Sequence, residues 1–211
     1  MTNLIDFYSG PDGEPVPTLS EMKLGLEPAM AMLFTADIEP TRLHYVADEA
    51  VRSYLACPGT GCPLCFCGVE PPTFHLLPVF DVEAGLVKVL RIPARRQPGG
   101  LGPLLVPHLR DKDIASKVIL LSRNGAKYTI EARPLGTNAR RGEAQIKAFL
   151  EDQQAGITLA GAFPRMSPEE LAEVPAIAAK LDALGGWKPP PEADRERATD
   201  AQAPDVDPDE S

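Results

Sequence analysis

Four cysteines and one histidine have the types and spacing of a metal-binding site. The spacing is His44-x12-Cys57-x4-Cys62-x2-Cys65, and Cys67 follows two residues later. A disulfide framework spreads its cysteines along the chain to close loops, whereas these four lie within eleven residues. Structural zinc is held by a closed tetrahedron of Cys and His ligands, of which Cys3His is one combination. The pattern predicts one structural Zn2+ per chain.

The predicted ligands are His44, Cys57, Cys62 and Cys65. The fourth ligand stays open, because Cys67 or His75 can replace His44. A zinc deaminase needs His-x-Glu before its cysteines and an open metal position, but the residues here are His44-Tyr45-Val46. No catalytic triad or carboxylate pair stands out elsewhere. We therefore expect a structural metal and no enzymatic activity.

Charge divides the chain into three parts. Residues 1–86 hold 3 basic and 12 acidic side chains (net −9), residues 87–147 hold 13 and 4 (net +9), and residues 148–211 hold 5 and 14 (net −9). Binding of single-stranded nucleic acid requires cations that follow the phosphates and aromatic rings on which bases stack. The basic middle segment predicts such a partner.

The candidate DNA-binding residues come from this basic segment. Tyr128 is the preferred stacking ring, because it lies beside Lys127 and a predicted hairpin turn. Further candidate rings are Tyr45, Tyr54, Phe66, Phe74 and Phe80. The candidate cations are Arg91, Arg95, Arg96, Arg110, Lys112, Lys117, Arg123, Lys127, Arg133, Arg140 and Arg141.

The elements that must position these residues are mostly strands. Apolar and β-branched runs predict a strand over 30–38 and a strand–turn–strand (or a helix) over 42–56. They also predict hairpins over 73–92 and 117–133, the second turning at Asn124-Gly125. Proline and glycine predict a loop over 57–72. Helices are expected near 19–24 and over 142–154 and 167–184, the last with a capping box from Ser167 to Glu170. A short helix or a turn is expected over 104–116.

The predicted fold is mainly β with some α, an OB-fold-like barrel with a zinc-binding loop subdomain and short C-terminal helices. The expected organisation is an acidic N-terminal arm (1–28), the OB-like core (29–141) with its zinc loop (57–67), a helical region (142–187) and a disordered acidic tail (188–211). The N-terminus lacks a signal-peptide pattern and no apolar run is long enough to span a membrane. We expect a bacterial or phage-infected host cytoplasm.

Residues 30–135 resemble the zinc-containing single-stranded-DNA-binding (helix-destabilising) proteins of phages, in particular those of T-even phages. The resemblance is carried by the His-x12-Cys spacing, by Cys62-Pro-Leu-Cys65, and by the phrases LLPVFDVEAGLVKVL and LSRNGAKYTIEARPL. It implies an OB-fold core, a zinc subdomain beside a cationic cleft, and the ligands His44, Cys57, Cys62 and Cys65. Two features depart from that family: a shorter loop between Cys57 and Cys62, and an N-terminal arm with Lys23 as its only base.

The expected function is coating of single-stranded DNA in replication, recombination and repair, without sequence specificity. The acidic tail matches the family, in which such tails contact replication or recombination proteins. No membrane and no small-molecule substrate are expected as partners. The alternative is a zinc-stabilised adaptor that binds RNA or duplex DNA, together with proteins of a replication or transcription complex.

Overall fold

The structure, a computed structural model, describes residues 19–95, 97–136 and 142–189. The fold is mainly β, an open, mainly antiparallel sheet of seven strands with a few short helices. The strands are β1 (Ala29–Met32), β2 (Glu39–Val46), β3 (Ser53–Ala56), β4 (Thr73–Asp81), β5 (Leu86–Pro93), β6 (Lys117–Asn124) and β7 (Lys127–Pro134). The helices are α1 (Pro63–Phe66), α2 (Leu101–Leu109), α3 (Glu143–Gln154), α4 (Pro168–Glu173) and α5 (Pro175–Ala183), with 3₁₀ turns at Ile114–Ser116 and Leu159–Ala162.

The chain divides into two compact units. Among the described residues, the sheet unit comprises those of 19–41 and 73–163, and the metal unit comprises those of 42–72 and 164–189. Both units are discontinuous in sequence, because residues 42–72 are inserted between two strands of the sheet unit.

The sheet unit contains five strands in the order β5-β4-β1-β6-β7, and every pair is antiparallel. The two hairpins β4–β5 and β6–β7 confirm the strand pairs expected over 73–92 and 117–133. Within the described part of the chain β5 and β7 do not pair with each other, so the sheet is open. The expectation of a mainly β fold with some α is confirmed, but the sheet does not close into the barrel that was expected with it.

Alternating side chains of these strands build the core of the sheet unit. Leu77 and Val79 of β4, Leu90 of β5, and Ile119 and Leu121 of β6 are almost fully buried in one cluster. The alternation follows from the two-residue period of a strand. On β7 the same period leaves one face half-buried and the other exposed.

The β6–β7 turn differs from the expected one by one residue. Asn124 pairs with Lys127, so Gly125 and Ala126 form the two-residue loop. Gly125 has φ +59° and Ala126 is not among the positive-φ residues. A type II′ turn has glycine with positive φ at the first loop position and negative φ at the second, as observed here. The type I′ turn expected for Asn-Gly needs positive φ at both positions.

The remaining elements follow the expectations in part. Residues 42–56 form strand, turn and strand, and the helix over 142–154 is present as α3. The strand expected over 30–38 is limited to β1, and the short helix or turn expected over 104–116 is α2, which begins at Leu101. The helix expected near 19–24 is wrong, because these residues are extended and Glu21 forms a parallel bridge with Val89.

The metal unit is built from the β2–β3 hairpin, α1, α4 and α5. Ser167 and Glu170 form the expected capping box at the start of α4. The single helix expected over 167–184 is instead two helices. α4 ends at Glu173 and α5 begins at Pro175, because Val174 precedes a proline and is extended. The core of the unit contains Val46, Leu55, Cys62, Leu64, Leu171, Val174, Ile177 and Leu181.

Candidate metal centre

The β2–β3 hairpin positions the first two candidate ligands. His44 lies on β2 opposite Leu55 of β3, and its side chain faces the interior with 1% exposure. Cys57 directly follows β3, and its amide donates a hydrogen bond of 2.9 Å to the carbonyl of Arg42. The hairpin ladder therefore extends beyond β3 and holds Cys57 near the strand that carries His44.

A one-turn helix positions the other two ligands. Cys62 immediately precedes α1, whose first residue is Pro63, and Cys65 lies within it. Residues three apart lie on the same side of a helical turn, so both thiol groups face the same way. Gly61 has φ +78°, which permits the reversal of the chain before Cys62. The expectation of loop throughout 57–72 is wrong at this turn.

The four side chains converge on one point. The Nε2 atom of His44 lies 3.4 Å from the Sγ of Cys62 and 3.4 Å from the Sγ of Cys65, and the sulfurs of Cys57 and Cys65 are 3.8 Å apart. All four ligand atoms lie within 4.8 Å of one another. A tetrahedron with Zn–S of ~2.3 Å and Zn–N of ~2.0 Å has S···S edges of about 3.8 Å and S···N edges of about 3.5 Å. The group can therefore hold one metal ion.

The thiols of the group influence one another strongly. The hydrogen bond from the Cys62 side chain lowers the pKa of Cys57 to about 4, against the opposing effect of burial. The pKa of Cys62 is raised by its bond to Cys57 and by burial, and the pKa of Cys65 is raised by burial and by the nearby Cys57 charge. Zinc is ligated by the thiolate form of cysteine, whereas the raised pKa values of Cys62 and Cys65 favour their protonated thiols. Metal binding would therefore release protons from this group.

The structure brings together the four predicted ligands and leaves the two alternatives outside the group. Cys67 is half-buried and packs at the edge of the metal-unit core, and His75 lies on β4 of the sheet unit. The Nδ1 atom of His44 is buried, and no hydrogen-bond partner for it occurs among the described residues. The four cysteines form no disulfide.

Three of the candidate DNA-binding residues line one cleft of the sheet unit, which we call the Arg91 cleft. Arg91 comes from β5, and Arg123 and Tyr128 face each other across the β6–β7 pair. The guanidinium of Arg123 lies 5.4 Å from the centre of the Tyr128 ring. The other residues of the cleft are Glu21, Met22, Leu24, Leu90, Pro93 and Leu101.

The other candidate cations do not line this cleft. Lys117 pairs with Asp111, and Arg133 pairs with Glu131 on the same strand. The exposed candidates elsewhere on the sheet unit are Arg95, Arg110, Lys112 and Lys127. Arg96, Arg140 and Arg141 lie outside the described residues.

The candidate stacking rings divide by exposure. Phe74 and Phe80 are buried in the sheet unit and serve its packing. In the metal unit Tyr45 is 52% exposed and Phe66 is 53% exposed. Tyr45 and Tyr54 form a cross-strand ring pair with centroids 5.1 Å apart.

Glu21 was not among the candidates from sequence, yet it lies in the cleft against Arg91, with its Oε1 atom 2.7 Å from the Nε atom of Arg91. The two residues are separated by 70 positions. A single acidic residue in an acidic segment gives no signal of such a contact. The pairing of Glu21 with Arg91 depends on the fold, which brings the two segments together.

Comparisons of the chain with family models, with curated proteins and with solved structures find no match. The resemblance to phage single-stranded-DNA-binding proteins therefore stays a prediction. No helix in the described part of the chain is long and apolar enough to cross a membrane.

Proposed function

We propose that this protein binds single-stranded DNA through the Arg91 cleft, without sequence specificity and without chemistry. The observation that carries the proposal is the convergence of Arg91, Arg123 and Tyr128 on one cleft. Guanidinium groups bind phosphate oxygens, and an aromatic ring stacks on any base. Two cations beside one ring are the elements that such binding needs.

The connectivity of the sheet unit supports an OB-type domain in a partly open form. OB-folds are five-stranded, partly open β-barrels that bind oligonucleotides on strands 2 and 3 and on the loops that join strands 1–2 and 4–5. In the sheet unit the second and third strands are β4 and β5, and α2 lies between the third and fourth strands. Arg91 is on the third strand, and Arg123 and Tyr128 flank the turn between the fourth and fifth strands. In an OB-type domain these are ligand-contacting positions, which supports the proposal that the Arg91 cleft binds an oligonucleotide.

The proposed metal is zinc, in a structural role. Three thiols and one imidazole are borderline-soft ligands that suit zinc, and closed four-ligand sites are structural rather than catalytic. Cys62 is also a member of the metal-unit core, with Leu64 beside it in α1. The ion would therefore hold the segment between Cys57 and Cys65 against the two C-terminal helices.

A second candidate function is a zinc-stabilised adaptor that binds proteins together with RNA or duplex DNA. The half-exposed rings of Tyr45 and Phe66 in the metal unit favour it, because aromatic residues are enriched at protein interfaces. It takes second place because the two cations and the ring that converge on the Arg91 cleft belong to the sheet unit, and not to the unit that carries these two rings.

Competition binding separates the two functions. Fluorescently labelled oligo-dT is bound to the full chain at low salt, and unlabelled single-stranded DNA, duplex DNA or RNA of equal length is added. Single-stranded DNA should compete at least ten times better than duplex. Equal competition by duplex, or the absence of binding to oligo-dT, would contradict the proposed function.

A further inference from the structure

Residues 20–25 form an extended segment of the sheet unit that precedes β1 and contacts two of its strands. The amide of Met22 donates to the carbonyl of Val89 over 2.8 Å, and the amide of Val89 donates to the carbonyl of Ser20 over 2.9 Å. At the other end of this segment the amide of Arg123 donates to the carbonyl of Gly25. The segment thus contacts β5 at one end and β6 at the other.

Packing fixes this segment in place. The side chain of Met22 is 3% exposed and belongs to the core of the sheet unit. Leu24 packs against the same core. Residues 20–25 therefore pack as part of the sheet unit, and the side chain of Glu21, next to the buried Met22, has a defined position.

That acidic side chain is directed at a cation of the cleft. The carboxylate of Glu21 bonds the Nε of Arg91 at 2.7 Å, and the two side chains are only 21% and 16% exposed. The guanidinium also lies 4.8 Å from the centre of the Phe74 ring. A carboxylate and a phosphate both present anionic oxygens that accept hydrogen bonds from a guanidinium. Glu21 therefore holds Arg91 in the manner in which a DNA phosphate would hold it.

We infer that Glu21 is an affinity-determining residue of the cleft, an internal competitor that a DNA phosphate must displace from Arg91. The inference rests on the proposed function. It adds that Glu21 lowers the affinity of the cleft for DNA. When no DNA is bound, the carboxylate of Glu21 balances the charge of Arg91. A ligand with closely spaced phosphates displaces the carboxylate, whereas an isolated anion at low concentration does not.

The test compares Glu21→Gln with Glu27→Gln in the full chain by oligo-dT titration. Both variants remove one negative charge from the stretch that precedes β1, but Glu27 is exposed and does not line the cleft. Glu21→Gln should tighten binding about 3- to 10-fold at low salt, and Glu27→Gln less than about 2-fold. One additional phosphate contact in Glu21→Gln should steepen the slope of log K against log[salt] by about 0.7.

A double-mutant cycle with Arg91→Gln tests whether Glu21 acts through Arg91. The gain from Glu21→Gln should disappear in the Arg91→Gln background, and circular dichroism verifies that each variant is folded. If the wild type binds and Glu21→Gln binds like Glu27→Gln or more weakly, the inference is overturned and the proposed function stands. If neither the wild type nor Glu21→Gln binds oligo-dT, the proposed function is contradicted and the inference falls with it.

Discussion

The Nε2 atom of His44 lies 3.4 Å from the Sγ of Cys62, although the two residues are 18 positions apart and come from different elements. Both side chains are almost fully buried. His44 comes from a strand, and Cys62 begins a one-turn helix. This contact joins the β2–β3 hairpin to the segment that packs on α4 and α5. A metal ion at this point would link the β2–β3 hairpin to α1, which packs on the two C-terminal helices.

Loss of one ligand should therefore unfold the metal unit. The fluorescence of Trp187 should report this unfolding. Trp187 is the only tryptophan of the chain and packs at the edge of the metal-unit core. Cys62→Ser should lose the bound metal and shift the Trp187 emission to the red, because structural zinc contributes about 10–16 kcal/mol to the folding of small zinc domains. Metal analysis and emission spectra check both effects.

Cys67→Ser is the matched control for that variant. Cys67 lies two residues from Cys65 but outside the group of four ligand atoms. Its substitution should leave one metal ion per chain and an unchanged emission maximum. Metal loss in Cys67→Ser with retention in His44→Ala would show that Cys67, and not His44, is the fourth ligand.

Replacement of the Tyr128 ring should weaken DNA binding. Tyr128→Leu keeps an apolar side chain at the edge of the core but removes the stacking surface beside Arg123. Stacking of one base contributes about 1–3 kcal/mol, so the dissociation constant should rise about 5- to 150-fold. Tyr128→Phe keeps the ring and should bind within about 2-fold of the wild type. Fluorescence anisotropy with labelled oligo-dT measures both, and equal binding by Tyr128→Leu would exclude stacking on this ring.

The carboxylate of Glu39 should stabilise the sheet unit. It accepts hydrogen bonds from the amides of Leu159 and Ala160, at 2.6 and 3.1 Å, across 120 residues of sequence. Glu39→Gln replaces one carboxylate oxygen with an NH2 group, which cannot accept a hydrogen bond from the backbone amide that it faces. The substitution should lower the free energy of unfolding by about 1–3 kcal/mol. Urea denaturation followed by circular dichroism checks this. The exposed Glu83, in the β4–β5 turn, supplies the control Glu83→Gln, which should stay within about 0.5 kcal/mol.

Asp81 should make the stability of the sheet unit depend on pH. Burial alone raises the pKa of Asp81, but the amides of Ala84 and Glu83 and the ammonium of Lys88 outweigh burial and hold this pKa below its usual value. The unfolded chain binds the proton more readily, with a pKa of ~3.9. The contribution of Asp81 is therefore complete above that value and is lost as the pH falls through the lower folded pKa.

The test of this pH dependence compares the wild type with Asp81→Asn. The wild type should be more stable by about 1–3 kcal/mol near pH 6, and the difference should shrink as the pH falls below about 4. Denaturant titrations at several pH values measure the difference. A gap of constant size from pH 6 to pH 3 would contradict the role assigned to the Asp81 carboxylate.

The sequence was sufficient for the elements that depend on local pattern. The convergence of His44 with Cys57, Cys62 and Cys65 was predictable from residue type and spacing, although the helical turn that carries Cys65 was not. The β4–β5 and β6–β7 pairs follow from two-residue alternation between turn residues. Even there, the loop position of Gly125 depended on strand register, which the Asn-Gly pair alone did not determine.

Contacts between distant segments could not be predicted. Leu171 and Ile177 pack in one core with Cys62, but nothing in the C-terminal helices points to the cysteine segment. The pairing of Glu21 with Arg91 likewise depends on residues 20–25 lying beside β5. The open sheet depends on the missing β5–β7 pair, which no local pattern encodes.

The most direct test of the account is the affinity of the wild-type chain for labelled oligo-dT as a function of salt concentration. Each phosphate neutralised on a single strand contributes about −0.7 to the slope of log K against log[salt]. With about five phosphates contacted, the account predicts measurable binding at low salt and a slope near −3.5. A slope near zero, or no binding at low salt, would contradict it.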